Sequence, residues 1–388
     1  MDVTRLTLSR RGVLAGAASC LVATGLAACA RDEREGQPSD GGVQPKRYAA
    51  DATSVRLLGR SYEDQGVRWL AQSGSGLEFE VTSPSVGFEL AGDEHADNDR
   101  EQCPRYAVLV DGAVVVDDML TERSRTVEVP LHDPAASATV QLLLLSEALK
   151  GAVGVRAITL PAAASGAPAP TAEPALHLGF VGDSITCAYG VESAGVDDPF
   201  KTTQENFLKS YAYLASQELG ASYDTACYSG YGIYSGWTGD GTRKDDWLVP
   251  ALYELVVAGR DDAWDFAQHP SDVVVVNLGT NDFSYTQQDE ARMAEFGQAY
   301  TAFLGRVREL NPASLIVCTM GTMGGEELYS YLEQAVRSHV DATGDARCLC
   351  YLSDPIDEAD GMGTGGHPNA VTQRKSAEKL VSVIRAAL

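Results

Sequence analysis

The chain has 388 residues, which is long for one hydrophobic core and predicts two domains. Its formal net charge is −24, and a surface of that sign repels nucleic acid and disfavours a polyanionic substrate. The charge therefore excludes nucleic acid as an expected partner and leaves neutral glycans or small esters as suitable ligands.

Residues 1–28 are expected to be a secretory leader. The twin arginines Arg10 and Arg11 precede an apolar stretch that is too short to span a bilayer. The stretch ends in Leu26-Ala27-Ala28-Cys29, which resembles a bacterial lipobox, whose cysteine becomes the acylated first residue. We expect lipidation of Cys29 and a mature protein held on the outer face of the cell membrane by a flexible tether, residues 29–46. Ordinary cleavage beside an incidental cysteine is the alternative.

Residues 47–161 are predicted to form a β-sandwich of the jelly-roll type. Short alternating runs such as Leu77–Val81 and Val86–Leu90 are separated by turn residues, and Asp111-Gly112 joins two runs as a hairpin. Short strands at regular spacing are typical of this architecture. Residues 162–174, rich in Ala, Pro, Ser and Gly, are predicted to be the linker that follows it.

Residues 175–388 alternate strand-like and helix-like segments. Apolar runs such as Leu178–Val181 and Val273–Val276 indicate buried strands, and Asp289–Leu310 is a long amphipathic segment stopped by Asn311-Pro312. This alternation predicts a three-layer α/β domain with a mostly parallel sheet.

A candidate nucleophile follows the first strand of that domain. Gly182-Asp183-Ser184 places a serine at the strand's carboxyl end, which is where open α/β sheets bind ligands. Ser184 is therefore suited to covalent catalysis if a base and oxyanion donors come from elsewhere.

The base is found by elimination among six histidines. Two lie in the sandwich, His177 lies within a strand, and two more precede a strand or sit in mid-helix. His367 follows a glycine-rich segment and opens the last helix, so a flexible loop can deliver its imidazole to Ser184. Simple helix capping is the alternative role of His367.

Donors for the oxyanion are expected from two further strand ends. Gly230 permits close backbone approach to a substrate, and Asn281 is aimed at the same sheet edge as Ser184. Each segment could also be a plain turn. Three aromatic residues after Gly230 are candidates for binding a sugar, or for packing beneath the domain interface: Tyr231, Tyr234 and Trp237.

These blocks resemble the SGNH (GDSL-type) hydrolases, and the whole chain after the tether resembles the two-domain carbohydrate esterases of family two. The resemblance rests on Gly-Asp-Ser184, Gly230, Gly-x-Asn281-Asp and His367-Pro. It implies an O-acetyl esterase that acts on acetylated polysaccharide or oligosaccharide without a cofactor. It also implies that Ser184 is the nucleophile, that His367 is base and then acid, and that the amides of Ser184 and Gly230 with the Asn281 side chain form the oxyanion hole.

One position departs from the family pattern. Such hydrolases usually carry an aspartate two or three residues before the histidine, where this chain has Gly365 and Thr364. Two groups are candidates to orient His367: a main-chain carbonyl from Gly365-Gly366, or a carboxylate from Asp360 or Asp357. The carbonyl, and hence a Ser–His dyad, is favoured.

The sequence leaves two other functions open. One is a glycan-binding lipoprotein with a weak or inert hydrolase domain, and the other is a lipid or thioester hydrolase on the same fold. No Cys-x-x-Cys or comparable spacing occurs, and no metal is expected.

Overall fold

The structure is a computed structural model that describes residues 44–388. The predicted leader, the lipidation site Cys29 and most of the tether lie outside the described residues. None of the helices within residues 44–388 is long and apolar enough to cross a bilayer.

The first part of the described chain is built from short strands in two antiparallel sheets. The strands are β1 (Lys46–Tyr48), β2 (Arg56–Leu58), β3 (Ser61–Asp64), β4 (Val67–Leu70), β5 (Gly76–Val81), β6 (Ser85–Gly92), β7 (Arg105–Val110), β8 (Ala113–Met119), β9 (Ser124–Pro130), β10 (Ala138–Leu144), β11 (Val153–Leu160) and β12 (Ala169–Pro170).

Strand order confirms the jelly roll. One sheet contains β4-β11-β6-β9 and the other β5-β10-β7-β8, so successive strands from β4 to β7 alternate between the sheets. The inward faces of both sheets form one apolar core that includes Phe79, Phe88 and Leu142. Asp111 takes a positive φ of 50° in the β7–β8 hairpin, as the Asp-Gly pair predicts.

The segment predicted as a linker is attached to the sandwich. Its two-residue strand β12 pairs with β5, and the Thr171 hydroxyl donates a hydrogen bond to Glu78. The Arg56 guanidinium donates to the same hydroxyl at 2.9 Å. Residues 169–171 therefore extend the edge of a sheet, because backbone pairing satisfies polar groups that a free linker leaves to water.

The second part has a parallel sheet with helices on both faces. Its elements are β13 (His177–Gly182), α1 (Ser184–Cys187), α2 (Tyr211–Leu219), β14 (Ser222–Cys227), β15 (Val273–Asn277), α3 (Thr280–Thr286), α4 (Glu290–Leu310), β16 (Leu315–Met320), α5 (Glu326–Thr343), β17 (Cys348–Leu352) and α6 (Ala370–Ala387).

The sheet order is β14-β13-β15-β16-β17, with every pair parallel. Helices α4 and α5 cover one face and α2 and α6 the other, so the predicted three-layer α/β domain is confirmed. Strand β14 lies on one side of β13, and β15 and all later strands lie on the other side, so the strand order reverses between β13 and β15. In open α/β sheets, ligands bind at the carboxyl ends of the strands at such a point.

The sandwich packs directly on the α/β domain. Leu109 and Leu143 point away from the sandwich core and contact Leu208 and Tyr213. Strand β7 is consequently buried on both faces, which explains why its sequence after Arg105 is apolar without alternation.

Candidate active site

Ser184 lies at the turn between β13 and α1, with 5% of its surface exposed. The turn is too tight for a side chain at position 182, because a Cβ there would stand 2.0 Å from the Thr186 hydroxyl. Asp183 caps the helix by accepting the Ile185 N–H at 3.0 Å. The Gly-Asp-Ser sequence thus holds the serine at the sheet edge in one defined turn.

His367 meets Ser184 across 183 residues of chain. Its Nε2 lies 2.9 Å from the Ser184 hydroxyl, and its Nδ1 lies 2.9 Å from the Thr364 carbonyl. Since a carbonyl only accepts, Nδ1 carries the proton and Nε2 is left to accept the proton of Ser184. Burial lowers the pKa of His367 below its ordinary value, so the imidazole is neutral at pH 7 and its Nε2 can accept a proton.

The group that orients His367 is neither Gly365 nor Asp360. Residues 364–366 form a single tight turn in which Gly365 has a φ of +60°, and His367 follows it, so the Thr364 carbonyl accepts the His367 backbone N–H as well as Nδ1. The Asp360 carboxylate is instead paired with Lys375 at 2.5 Å. The expectation of a main-chain acceptor matches the structure, but the residue that supplies it is Thr364.

Two backbone donors follow the carboxyl ends of the neighbouring strands β13 and β14. Within residues 44–388, the N–H groups of Ser184 and Gly230 donate to no other protein atom. Gly230 has a φ of +84°, a conformation that glycine adopts without strain. Its carbonyl accepts the Trp237 N–H at 2.7 Å.

The Asn281 side chain lies between the two donor segments. Its amide donates to the Tyr231 carbonyl at 2.8 Å and to Asp183 at 3.2 Å, so it contacts the neighbour of Gly230 and the neighbour of Ser184. Both amide hydrogens are therefore engaged in this structure. To serve an oxyanion, Asn281 has to exchange the longer of these bonds, the one to Asp183.

Asp282, next in sequence, fixes the loop after Gly230. Its buried carboxylate accepts the N–H groups of Ile233, Tyr234 and Ser235 at 3.1, 2.6 and 2.9 Å. Asn281 and Asp282 form one block of the sequence. The structure separates it into a site amide and a loop anchor.

The aromatic residues expected at a sugar site fall into two groups. Trp237 is 56% exposed, and Tyr231 is half-buried and stacked on Trp247, itself 42% exposed. Tyr234, by contrast, is buried, and its hydroxyl donates to Glu295 beneath Arg243. Tyr234 is therefore a packing residue, because the loop anchored on Asp282 turns its ring inward.

Three residues near the site were not found from the sequence. Tyr189 stacks on Phe200 with ring centres 3.8 Å apart and lies 4.6 Å from the His367 ring. The Trp247 ring lies 3.8 Å from the position of a Cβ at Gly230. Tyr189 lies two residues after the short helix α1, so its nearness to Ser184 in sequence could have indicated a place at the site. Phe200 and Trp247 are distant in sequence from the other site residues and had no such signal.

A Ser–His pair at the carboxyl ends of a parallel sheet, with backbone donors on neighbouring strand ends, fits a serine hydrolase of the SGNH type. The model of the GDSL-like lipase/acylhydrolase family matches residues 180–375, and the chain belongs to that family. The family resemblance expected from the sequence blocks is therefore confirmed.

Characterised relatives include carbohydrate esterases. The cellulase/esterase CelE of Acetivibrio thermocellus is 32% identical over 213 residues, which cover 53% of this chain but only 25% of the length of CelE. An acetylxylan esterase/glucomannan deacetylase of Cellvibrio japonicus is 27% identical over 278 residues, covering 71% of this chain and 73% of that protein.

Solved structures cover both domains. A family two carbohydrate esterase from Clostridium thermocellum, in complex with cellohexaose, has 25% identity and a TM-score of 0.75 over 86% of this chain and 98% of that chain. An acetyl xylan esterase from Butyrivibrio proteoclasticus has 20% identity and a TM-score of 0.79 over 88% and 98% of the two chains, and supports the fold.

Proposed function

We propose that the protein is a serine-dependent O-acetyl esterase that removes acetyl groups from polysaccharide or oligosaccharide. The observation that carries the proposal is the 2.9 Å contact between the Ser184 hydroxyl and the His367 Nε2, together with the N–H groups of Ser184 and Gly230, which donate to no other atom of residues 44–388. The names of the relatives, an acetylxylan esterase/glucomannan deacetylase and a carbohydrate esterase, support the substrate class.

In the first step Ser184 takes the acetyl group. Its oxygen bonds to the acetyl carbon while its proton moves to Nε2 of His367, and the carbonyl oxygen becomes an oxyanion. The N–H groups of Ser184 and Gly230, joined by the Asn281 amide, stabilise that charge, which amounts to about 3 kcal/mol per donor. Collapse breaks the bond to the sugar oxygen, which leaves with the proton from His367.

In the second step water releases the acetyl group. A water molecule gives a proton to Nε2 of His367 and bonds to the acetyl carbon, and the same donors stabilise the new oxyanion. Collapse returns the proton to the oxygen of Ser184 and frees acetic acid. Throughout, the Thr364 carbonyl holds Nδ1–H and stabilises the imidazolium that forms in each step.

The sugar is expected to lie on the exposed indoles of Trp237 and Trp247. Both flank Gly230, the first through its backbone bond to the Gly230 carbonyl and the second through ring contact. A flat apolar ring fits the face of a pyranose, and the −24 net charge disfavours acidic glycans.

Acyl-chain profiling tests the proposal. We expect the wild type to hydrolyse 4-nitrophenyl acetate far faster than the octanoate and to release acetate from acetylated xylan or glucomannan. Ser184→Ala is the control against a contaminating esterase. A preference for octanoate contradicts the acetyl esterase in favour of a lipid hydrolase. Polysaccharide binding with equal residual hydrolysis in both proteins contradicts it in favour of a binding protein.

We also propose that the protein is exported and anchored by a lipid on Cys29. The twin arginines and the Leu-Ala-Ala-Cys29 sequence support this. Cys29→Ala should move the protein from the membrane fraction to the soluble one, and mass spectrometry of the wild-type N-terminal peptide should show the acyl chains. An unacylated wild type that fractionates like the variant contradicts the anchor.

A further inference from the structure

A buried carboxylate from the sandwich domain reaches the loop that carries Gly230. We call residues 228–231 the oxyanion loop, the segment that follows β14. Glu147 follows strand β10 of the sandwich and has no exposed surface. Its Oε2 accepts the Ser229 N–H of the oxyanion loop at 2.8 Å.

A second buried acid supports the first. The Oε2 of Glu205, in the segment between α1 and α2, accepts the Glu147 backbone N–H at 3.0 Å. Within residues 44–388, the Oε1 atoms of Glu147 and Glu205 are buried without a hydrogen-bond partner. Burial raises the pKa of both carboxyls. Burying two such acids is costly, because each loses its hydration and only one oxygen of each accepts a hydrogen bond here.

Joining the two domains does not require Glu147. Uncharged hydrogen bonds already join them nearby: Gln72 donates to the Tyr228 hydroxyl at 2.6 Å, and the Thr225 hydroxyl donates to the Ser73 carbonyl at 2.6 Å. Glu147 differs from these groups in its partner. It accepts the peptide N–H of Ser229, the residue directly before Gly230.

Two contacts therefore bracket the Ser229–Gly230 peptide. Glu147 holds it on one side through the Ser229 N–H, and the Trp237 N–H holds it on the other through the Gly230 carbonyl. Each contact holds the peptide group next to the Ser229–Gly230 peptide, so together they hold the Cα atoms at its two ends and limit where the Gly230 N–H can lie.

We propose that Glu147 is a positioning residue for the proposed esterase, through which the sandwich domain aims the Gly230 N–H at the substrate carbonyl. The role rests on the proposed function, because it has a catalytic consequence only if an oxyanion forms there. It explains why a jelly roll accompanies this hydrolase domain: the sandwich supplies a part of the catalytic geometry.

Kinetics of Glu147→Leu and Glu147→Gln test the role. The leucine fills the same space without an acceptor, so kcat on 4-nitrophenyl acetate should fall on the order of 100-fold while KM changes little, because misplaced donors weaken transition-state stabilisation. The glutamine oxygen still accepts the Ser229 N–H, and kcat should stay within about threefold of wild type. If the leucine variant does not fold, Glu147→Ala carries the same expectation.

Thr225→Val is the matched control. It removes a buried hydrogen bond between the same two domains from strand β14 but leaves Ser229 untouched. We expect it to lower the melting temperature, because a buried hydrogen bond is lost, and to leave kcat unchanged. Amide hydrogen exchange in a peptide spanning 228–237 should accelerate in Glu147→Leu and not in Thr225→Val.

The outcomes separate the two proposals. An active wild type together with unchanged kcat and unchanged exchange in Glu147→Leu overturns the positioning role alone. Equal losses of kcat in Glu147→Leu and Thr225→Val also overturn it, because Glu147 is then only part of the domain interface. A wild type that hydrolyses no ester overturns the proposed function and the role with it.

Discussion

The α/β domain holds two Ser–His contacts, one at each edge of its parallel sheet. At the carboxyl edge, Ser184 and His367 are 2.9 Å apart. At the amino edge, the Ser222 hydroxyl lies 2.8 Å from Nδ1 of His177, whose Nε2 lies 3.1 Å from the Asp224 carboxylate. The amino-edge group has the aspartate that the carboxyl-edge pair lacks, and it borders a cavity of about 610 Å³.

The donors separate the two groups. At the carboxyl edge the Ser184 N–H has no acceptor among the described residues. At the amino edge the Ser222 N–H donates to the Leu176 carbonyl at 2.9 Å and the His177 N–H to Asp272 at 2.8 Å. Helices that follow parallel strands begin at the carboxyl edge, so their positive ends favour an oxyanion there and their negative ends oppose one at the other edge.

The Asp224 carboxylate also has a different task. It pairs at 2.9 Å with Arg60, a side chain from the sandwich that is 2% exposed. Burial alone would raise the pKa of Asp224, but Arg60 and His177 hold it below the ordinary value. The comparison teaches that a serine, a histidine and an aspartate in contact do not make a hydrolase: available donors for the oxyanion decide.

The sharpest test replaces each serine in turn. Ser184→Ala should lower kcat for acetyl ester hydrolysis by about 10⁴-fold or more, because the proposed nucleophile is lost. Ser222→Ala should leave kcat unchanged and reduce the free energy of unfolding by about 1 kcal/mol for one lost hydrogen bond. Steady-state kinetics with denaturant unfolding measures both. A comparable loss of kcat in Ser222→Ala would assign chemistry to the wrong edge and refute the comparison.

Removing Arg60 tests the structural task of the amino-edge group. Arg60→Met leaves Asp224 buried beside His177 without its main partner, and the free energy of unfolding should fall by about 3–5 kcal/mol. Folded Arg60→Met should keep wild-type kcat at low temperature. Arg47→Met, which breaks the exposed pair with Glu89, is the control and should change stability little. Similar losses in both variants would contradict a special role for the buried pair.

The pH profile distinguishes the two histidines. As the proposed base, His367 must be neutral, and burial lowers its pKa below the ordinary 6.5, so kcat/KM should fall to half of its plateau only at a pH below 6.5. His177→Gln should not shift that acidic limb. A midpoint at or above pH 6.5 in the wild type, or one that moves in His177→Gln, would contradict the assignment.

The smallest expected effect concerns Asp360, the carboxylate that could replace the aspartate absent from positions 364 and 365. Asp360→Asn removes a carboxylate that pairs with Lys375 rather than with the imidazole, so kcat should change by less than about twofold. A thousandfold fall in kcat would show that Asp360 orients His367 during the reaction and that the dyad is incomplete.

Local sequence patterns identify the strands and helices, and the strand ends that carry the candidate catalytic residues. The alternating runs predicted the jelly roll, and Gly-Asp-Ser184 after an apolar run located the serine, since tight turns and strand periodicity depend on neighbours in sequence. His367 is identified by elimination for a related reason: of the six histidines, it is the one that follows a glycine-rich segment expected at the carboxyl edge of the sheet.

Contacts between distant segments could not be predicted in this way. The orientation of Tyr234 depends on the carboxylate of Asp282, 48 residues later, and Trp247 reaches Gly230 only because the intervening loop folds back. The acceptor for His367 was expected within residues 365–366, but the tight turn places the Thr364 carbonyl there instead.

The sequence by itself determined the two architectures, the serine and the histidine, because periodicity, glycine turns and strand ends are written in neighbouring residues. The tertiary structure alone decided which Ser–His contact stands beside free N–H groups and which sandwich acid reaches the loop of Gly230. Those outcomes depend on which backbone donors other segments have already engaged, and that becomes defined only when the sheets and loops pack together.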